Sequence, residues 1–72
     1  MDMNTDNLLK NFSINLKYHM QEKGITQVKL AQATNVTQPS VSLWVLGKSE
    51  PSFTKICLIL KCLGISFEDL LE

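Results

Sequence analysis

Apolar residues recur along this chain at every third or fourth position, the spacing that places side chains on one face of an α-helix. They form four stripes: Leu9, Phe12, Leu16 and Met20; Val36, Val41 and Trp44; Phe53, Ile56, Ile59, Leu60 and Leu63; and Phe67, Leu70 and Leu71. A stripe at this spacing normally faces the core, so we expect these side chains to pack together. No alternation with the period of a β-strand competes with the pattern. The pattern therefore predicts an all-α protein.

Small and polar residues between the stripes predict where the helices end and begin. Glycine and asparagine adopt the left-handed backbone that ends many helices, and a serine or threonine soon afterwards can cap the next helix. Four such pairs divide the chain: Gly24–Thr26, Asn35–Thr37, Gly47–Ser52 and Gly64–Ser66. Asp69 follows Ser66 by three residues, which is a capping-box pattern. We therefore expect a compact five-helix domain with helices at residues 6–23, 26–33, 37–46, 52–63 and 66–71.

The length of 72 residues predicts a single domain, residues 1–72, in which residues 1–6 are expected to be loose. With 44% hydrophobic and 19% charged residues, the composition is that of a globular protein. The N-terminus is too polar for a signal peptide. The longest apolar run, ICLILKCLGI, contains Lys61 and is too short to span a bilayer. We expect a cytoplasmic protein with no membrane partner.

Few side chains here are suited to catalysis or to metal binding. Cys57 and Cys62 lie five residues apart on one predicted helix, about 140° apart around its axis, so they cannot pair with each other. We expect buried or half-buried thiols. His19 is the only histidine, which leaves a zinc site short of ligands, and we expect it to be a partly buried structural residue. Since no nucleophile–base pair or phosphate-cradling loop is present, the sequence predicts no enzymatic activity, no cofactor, no metal and no small-molecule ligand.

The formal net charge is zero, but the charges are unevenly distributed. All seven lysines and only two of the seven acidic residues lie between Lys10 and Lys61, so this part of the chain carries +5. The other five acidic residues lie near the two ends. A basic middle is compatible with a face that binds phosphate groups, although charge alone favours an ordinary solvated surface.

The second and third predicted helices are short and are joined by Thr34, Asn35 and Val36. So short a connection makes the helices cross at a steep angle, which is the helix-turn-helix arrangement. Ala31 is small where the two helices meet, and Val36 and Val41 are expected to pack beneath the third helix.

Further residues at fixed spacing match a known family: Gly24, Thr26–Gln27, Leu30–Ala31, Val36–Thr37–Gln38, Ser40–Val41–Ser42, Trp44, Gly47–Lys48, Pro51–Ser52–Phe53 and Leu63–Gly64. From Phe12 to Leu71 the sequence thereby resembles the lambda-repressor/Cro-like helix-turn-helix family of bacterial and phage regulators. The resemblance implies a sequence-specific DNA-binding transcriptional regulator, a small repressor or Cro-like protein. Helix 37–46 would enter the major groove of double-stranded DNA with its N-terminus first.

The resemblance also implies which side chains face DNA: Gln27, Thr37, Gln38, Pro39, Ser40, Ser42, Leu43 and Lys48. Gln38 matches the base-reading residue, whose amide can pair with N6 and N7 of adenine. Gln27 matches a residue that bonds a phosphate. The two serine hydroxyls are short enough to reach a base or a phosphate, and the lysine is placed for a phosphate. Solvated helix surface or capping is the alternative for each polar side chain.

Three positions depart from the family pattern. Leu43 stands where a basic or polar residue is usual, and there it would contact a thymine methyl group. Val45 and Met20 stand where the family commonly places an acidic residue and an arginine that pair. Because replacing both partners of a partly buried ion pair can be neutral, we expect Val45 and Met20 to contact each other.

Leucine also replaces polar family residues at Leu46 and Leu58. These leucines, with parts of Phe67, Leu70 and Leu71, would form an exposed apolar patch on a monomer. The family binds DNA as two-fold dimers on palindromic operators. The sequence therefore predicts a homodimer through the second half of the chain.

A second function stays open. The zero net charge, the absence of arginine and the unusual leucines are also compatible with a protein-interaction module on the same fold: an antitoxin, an anti-repressor or a complex subunit. We expect the chain to be either a complete compact regulator or the N-terminal piece of a longer one.

Overall fold

The computed structural model describes residues 5–72 and contains five α-helices in that range. They are α1 (Thr5–Lys23), α2 (Gln27–Thr34), α3 (Gln38–Val45), α4 (Phe53–Leu63) and α5 (Phe67–Leu71). No β-strand occurs between residues 5 and 72. The all-α, five-helix prediction is confirmed, and each predicted helix end is within one residue of the observed one. Of the segment expected to be loose, residues 1–4 lie outside the described residues, and Thr5 and Asp6 begin α1.

The predicted signals act at most helix boundaries. The hydroxyl of Thr26 accepts a hydrogen bond from the backbone N–H of Lys29 at 3.1 Å. The hydroxyl of Ser52 accepts one from the backbone N–H of Lys55 at 3.4 Å. Asn35 adopts the left-handed conformation at φ 58°, which ends α2. These contacts satisfy backbone groups that a helix end leaves without partners.

The capping box predicted for α5 is present in both directions. The backbone N–H of Ser66 donates to the Asp69 carboxylate at 2.9 Å, and the Asp69 N–H donates to the Ser66 hydroxyl at 3.3 Å. The bond from the Ser66 backbone, followed by the Ser66 hydroxyl, lowers the pKa of Asp69 below its usual value of 3.8. The carboxylate stabilises the helix end in its ionised form.

Thr37 begins α3 without capping it through its side chain. Its backbone has the extended conformation of a cap residue, but its hydroxyl lies 3.1 Å from the hydroxyl of Ser40 instead of bonding a backbone N–H. Pro39, in the first turn, has no N–H to offer. The carbonyl of Thr37 accepts the Ser40 N–H at 3.1 Å. The predicted side-chain cap is therefore wrong, because a hydroxyl pair takes its place.

The core lies between α1 and the four shorter helices. The long helix α1 packs against α3, α4 and α5, and α2 packs against α3 and α4. The buried apolar residues come from all five helices: Phe12, Leu16, Met20, Leu30, Ala31, Val41, Trp44, Ile59, Leu63 and Leu70. All but Leu30 and Ala31 belong to the predicted stripes, so the apolar spacing identified most of the core.

Three residues of the stripes are exposed: Phe67, Leu71 and, most of all, Phe53, which is 77% exposed. It is the first residue of α4, and a helical side chain leans toward the N-terminal end of its helix. At the first position that direction leads off the end of the helix and into solvent. The expectation that Phe53 belongs to the core is therefore wrong.

Leu70 was expected to belong partly to the exposed apolar patch, and this expectation is wrong. It is fully buried, so it cannot contribute exposed surface to an interface. Its helix is held on α1, where the side-chain N–H of Asn15 donates to the carbonyl of Leu70 at 3.0 Å. That bond fixes α5 with Leu70 turned toward the core.

Cys62 and His19 are buried to the extent expected, but Cys57 is not. Cys62 is half-buried, but Cys57 is exposed because it lies on the outer side of α4; neither is in a disulfide. His19 is half-buried, with its ring edge-on to Tyr18 at a centroid distance of 5.1 Å. No helix within residues 5–72 combines the length and the apolar character needed to cross a membrane.

Candidate nucleic-acid interface

The turn between α2 and α3 consists of Asn35, Val36 and Thr37. The left-handed conformation of Asn35 reverses the chain, and the Val36 N–H donates to the carbonyl of Ala31 at 3.0 Å. Ala31 is buried at this junction, and Val41, on the core-facing side of α3, is fully buried. A short turn closed by backbone hydrogen bonds fixes α3 relative to α2.

A side chain from α4 also reaches this turn. The ammonium group of Lys55 donates a hydrogen bond to the carbonyl of Thr34 at 2.8 Å. Thr34 is fully buried and its own hydroxyl donates to the carbonyl of Leu30 at 2.7 Å. No sequence pattern indicates this contact, because a lysine on a helix usually lies on the solvated surface and its partner is 21 residues away.

At the start of α3, the side chains of Gln38 and Gln27 form a pair. The Nε2 of Gln38 donates to the Oε1 of Gln27 at 2.6 Å, which joins the first residues of α3 and α2. This bond fixes the orientation of both amides. The Oε1 and one N–H of Gln38, and both N–H groups of Gln27, remain available to a ligand.

The other predicted DNA-facing residues lie along α3 and just beyond it. Thr37, Gln38 and Pro39 are exposed, and the hydroxyls of Ser40 and Ser42 are on half-buried residues. Leu43 is 42% exposed, so its side chain is accessible to a ligand, and its contact with a thymine methyl group stays a prediction. Lys48 is exposed at the C-terminal end of α3, and its N–H donates to the Leu43 carbonyl at 2.9 Å. The predicted residues therefore extend along α3, from Thr37 before its first residue to Lys48 beyond its last.

The electrostatics at the N-terminal ends of α2 and α3 favour an anion. Neither helix has an acidic residue in its first turn. The free N–H groups at a helix N-terminus carry partial positive charge, and nothing in these first turns offsets it. A negatively charged backbone is therefore an appropriate ligand for this end of the two helices.

Met20 and Val45 line the same surface pocket of about 240 Å³, together with Lys17, Gln21, Ile25, Thr26 and Gln27. Met20 is almost fully buried and Val45 is half-buried. Both positions are therefore apolar neighbours on one side of the interface, between α1 and α3. Direct contact between them stays a prediction.

The residues expected to form a dimer interface separate into two sets. Phe67 and Leu71 are exposed and line an apolar groove with Leu8, Leu9, Phe12, Glu50, Pro51 and Ile56. Leu46, 62% exposed, and Leu58, half-buried, are not among the residues that line this groove. The groove lies where the start of α1 meets α5 and the segment before α4.

Comparison with known proteins agrees with this architecture. A family model described as helix-turn-helix matches residues 16–70. The "Uncharacterized HTH-type transcriptional regulator YqaE" of Bacillus subtilis (strain 168) is 33% identical over 61 residues, which are 85% of this chain and 53% of that protein. The chain thus spans about half the length of this relative. No solved structure gives a significant match. The match over most of the chain shows that this protein belongs to the helix-turn-helix family.

Proposed function

We propose that this chain is a DNA-binding transcriptional regulator of the repressor or Cro-like kind that acts in the cytoplasm. The observation that carries the proposal is the Gln27–Gln38 amide pair at the adjoining N-terminal ends of α2 and α3. Membership of the helix-turn-helix family and similarity to a protein named as a transcriptional regulator support it.

In this proposal α3 enters the major groove of duplex DNA with its N-terminus first. Gln38 reads an adenine through the oxygen and the N–H that its bond to Gln27 leaves free. Gln27 donates its own N–H groups to a phosphate. Thr37, Pro39, Ser40 and Ser42 lie along the same groove, and Lys48 holds a phosphate beyond the end of α3.

The proposed operator is palindromic and the proposed regulator is a homodimer. The exposed side chains of Phe67 and Leu71 in the apolar groove support an apolar interface. Leu46, which is exposed outside that groove, and the half-buried Leu58 are proposed as further members. Two copies related by a two-fold axis would place their third helices in successive turns of the major groove.

Selection of binding sites from random duplexes tests the function, followed by affinity measurements on the selected site. Because a bidentate amide–adenine pair contributes roughly 1–3 kcal/mol, Gln38→Ala is expected to weaken binding by about 5- to 150-fold and to relax the preference at one base pair. Gln32→Ala is the matched control, since Gln32 is an exposed glutamine on α2 outside the amide pair. It is expected to leave the affinity unchanged.

The dependence of affinity on salt concentration provides a second test of DNA binding. Each phosphate contact should add about −0.9 to the slope of log affinity against log salt concentration. If the wild-type chain binds no duplex even at low salt, the proposal is wrong. The exposed Leu43, Leu46 and Phe53 would then favour a protein-interaction module on this fold.

A further inference from the structure

We propose that Lys55 is a positioning residue for this interface, although it belongs to α4 and has no place among the predicted DNA contacts. Its ammonium group holds the C-terminal end of α2 through the 2.8 Å bond to the Thr34 carbonyl. By fixing that end, Lys55 keeps Gln27, at the other end of α2, against Gln38. The part of the proposal that concerns DNA affinity rests on the proposed function.

The hydrogen bonds at the end of α2 give Lys55 this role. Carbonyls in the last turn of a helix have no partner within the helix. Those of Ala31 and Gln32 accept the N–H of Asn35, and that of Ala31 also accepts the N–H of Val36. The carbonyl of Thr34 is bonded by Lys55.

The charge of Lys55 suits the site it occupies. A cation at a helix C-terminus is stabilised by the negative end of the helix dipole. The last turn of α2 contains no basic residue of its own, so Lys55 supplies this charge from a neighbouring helix. Since α2 packs against both α3 and α4, the bond ties the helix-turn-helix to the rest of the core.

The geometry of α2 converts a change at Thr34 into a change at Gln27. The two residues are seven positions apart, or about 10 Å along the helix axis, so a tilt of about 10° about one end moves the other by about 2 Å. A movement of that size is enough to separate the Gln38 and Gln27 amides, which are 2.6 Å apart. Lys55 therefore acts on base reading through α2, without touching DNA.

The test replaces Lys55 with methionine, which keeps the apolar stem and removes the ammonium group. Lys61→Met is the matched control, because Lys61 is an exposed lysine on the same helix. Two properties are measured on each variant: the NMR signals of the Gln38 side-chain amide in the free protein, and the affinity for the selected duplex over a range of salt concentrations.

We expect Lys55→Met to shift the Gln38 amide signals and to lower duplex affinity about tenfold, because a displaced Gln38 amide loses part of its bidentate pair with adenine. The salt slope should stay the same, because Lys55 contacts no phosphate. Lys61→Met should leave the Gln38 amide signals at their wild-type positions. If Lys55→Met fails to fold, Lys55→Gln replaces it, since its amide ends one bond short of the ammonium position.

Two results would overturn the proposal. One is an unchanged Gln38 amide in the folded Lys55 variant. The other is a salt slope that becomes less steep by about 0.9, which would make Lys55 a phosphate contact. If the wild-type chain binds no DNA, the proposed function fails, and the amide signals in the free protein still decide whether Lys55 positions the glutamine pair.

Discussion

If α3 reads bases as proposed, Leu43 is the side chain that would most change which base it recognises. It is 42% exposed and lies five residues after Gln38 on α3, where family members usually carry a basic or polar group. An apolar side chain at this position offers no hydrogen bond to a base edge. It can pack on the C5-methyl group of thymine, which is the only apolar group that a base presents in the major groove.

Replacing thymine by uracil in the selected site tests this contact, because uracil lacks only that methyl group. We expect the wild-type protein to lose about fourfold in affinity at one position, from roughly 0.8 kcal/mol for one buried methyl group. Leu43→Ala should bind the thymine site more weakly and should not respond to uracil. Val28→Ala removes an exposed apolar side chain from α2 and should keep the wild-type response. A full uracil response in Leu43→Ala would rule out the contact.

The Gln27–Gln38 pair shows which properties of single residues the sequence predicts and which it does not. The resemblance identified both glutamines one by one, and each lies at the start of its helix as expected. Their mutual hydrogen bond depends on how α2 and α3 are packed, which no spacing along the chain reports. Lys55 was missed for the same reason, because its partner is a backbone carbonyl on another helix.

At the scale of helices, the sequence predicted most of the fold because the boundary signals are local. A cap residue bonds an N–H three positions later, as Thr26, Ser52 and Ser66 do. Burial is less local. Phe53 and Leu70 both lie on apolar stripes, yet one is largely exposed and the other fully buried. Which neighbour covers a stripe depends on the packing of whole helices, so the errors fall on the first residue of α4 and on the patch expected around α5.

The junction between α3 and α1 allows a prediction about one helix boundary. Gly47 has φ 71°, and a Cβ atom added there would lie 3.1 Å from the hydroxyl oxygen of Ser13 on α1. Gly64 has φ 65° with no atom within 4 Å of such a Cβ. Alanine at Gly64 therefore strains only the backbone, at a cost of about 1 kcal/mol. Alanine at Gly47 must also displace a nearly buried serine.

Urea unfolding of both variants measures the difference. Gly47→Ala is expected to lower the free energy of unfolding by about 1 kcal/mol more than Gly64→Ala, as mild overpacking does. In a Ser13→Ala background, the effect of Gly47→Ala should fall toward that of Gly64→Ala, because the hydroxyl that meets the new Cβ is gone. An equal decrease in the free energy of unfolding for the two glycine variants would mean that α1 and Ser13 move to accommodate the new Cβ atom without loss of stability.

At the scale of the whole molecule, the charge distribution bears on how DNA would be bound. The middle of the chain carries +5 but contains no arginine, and one of its lysines, Lys55, is bonded to a backbone carbonyl. Fewer cations are then left to neutralise phosphates, which lowers the sequence-independent part of the affinity. We expect one copy on one half-site to bind weakly, so that binding depends more on the dimer than it would in an arginine-rich relative.

The proposed homodimer provides the test at this scale. Phe67 is 46% exposed and lines the apolar groove with Leu71, whereas Ile14, 55% exposed on α1, does not line it. Because each residue occurs twice in a two-fold interface, Phe67→Ser removes apolar contact from both copies. We expect it to raise the dimer dissociation constant by about tenfold or more in sedimentation equilibrium, with Ile14→Ser unchanged.

Comparing duplexes with one and with two half-sites distinguishes an effect of Phe67 on dimer formation from an effect on base recognition. Phe67→Ser is expected to lose affinity for a palindromic duplex with two half-sites, because the two copies no longer support each other. Its affinity for a duplex with one half-site should match the wild-type value, since Phe67 lies on α5 and the proposed reading residues lie on α2 and α3. Equal losses on both duplexes would mean that Phe67 acts through the fold and that the groove is not the contact between copies.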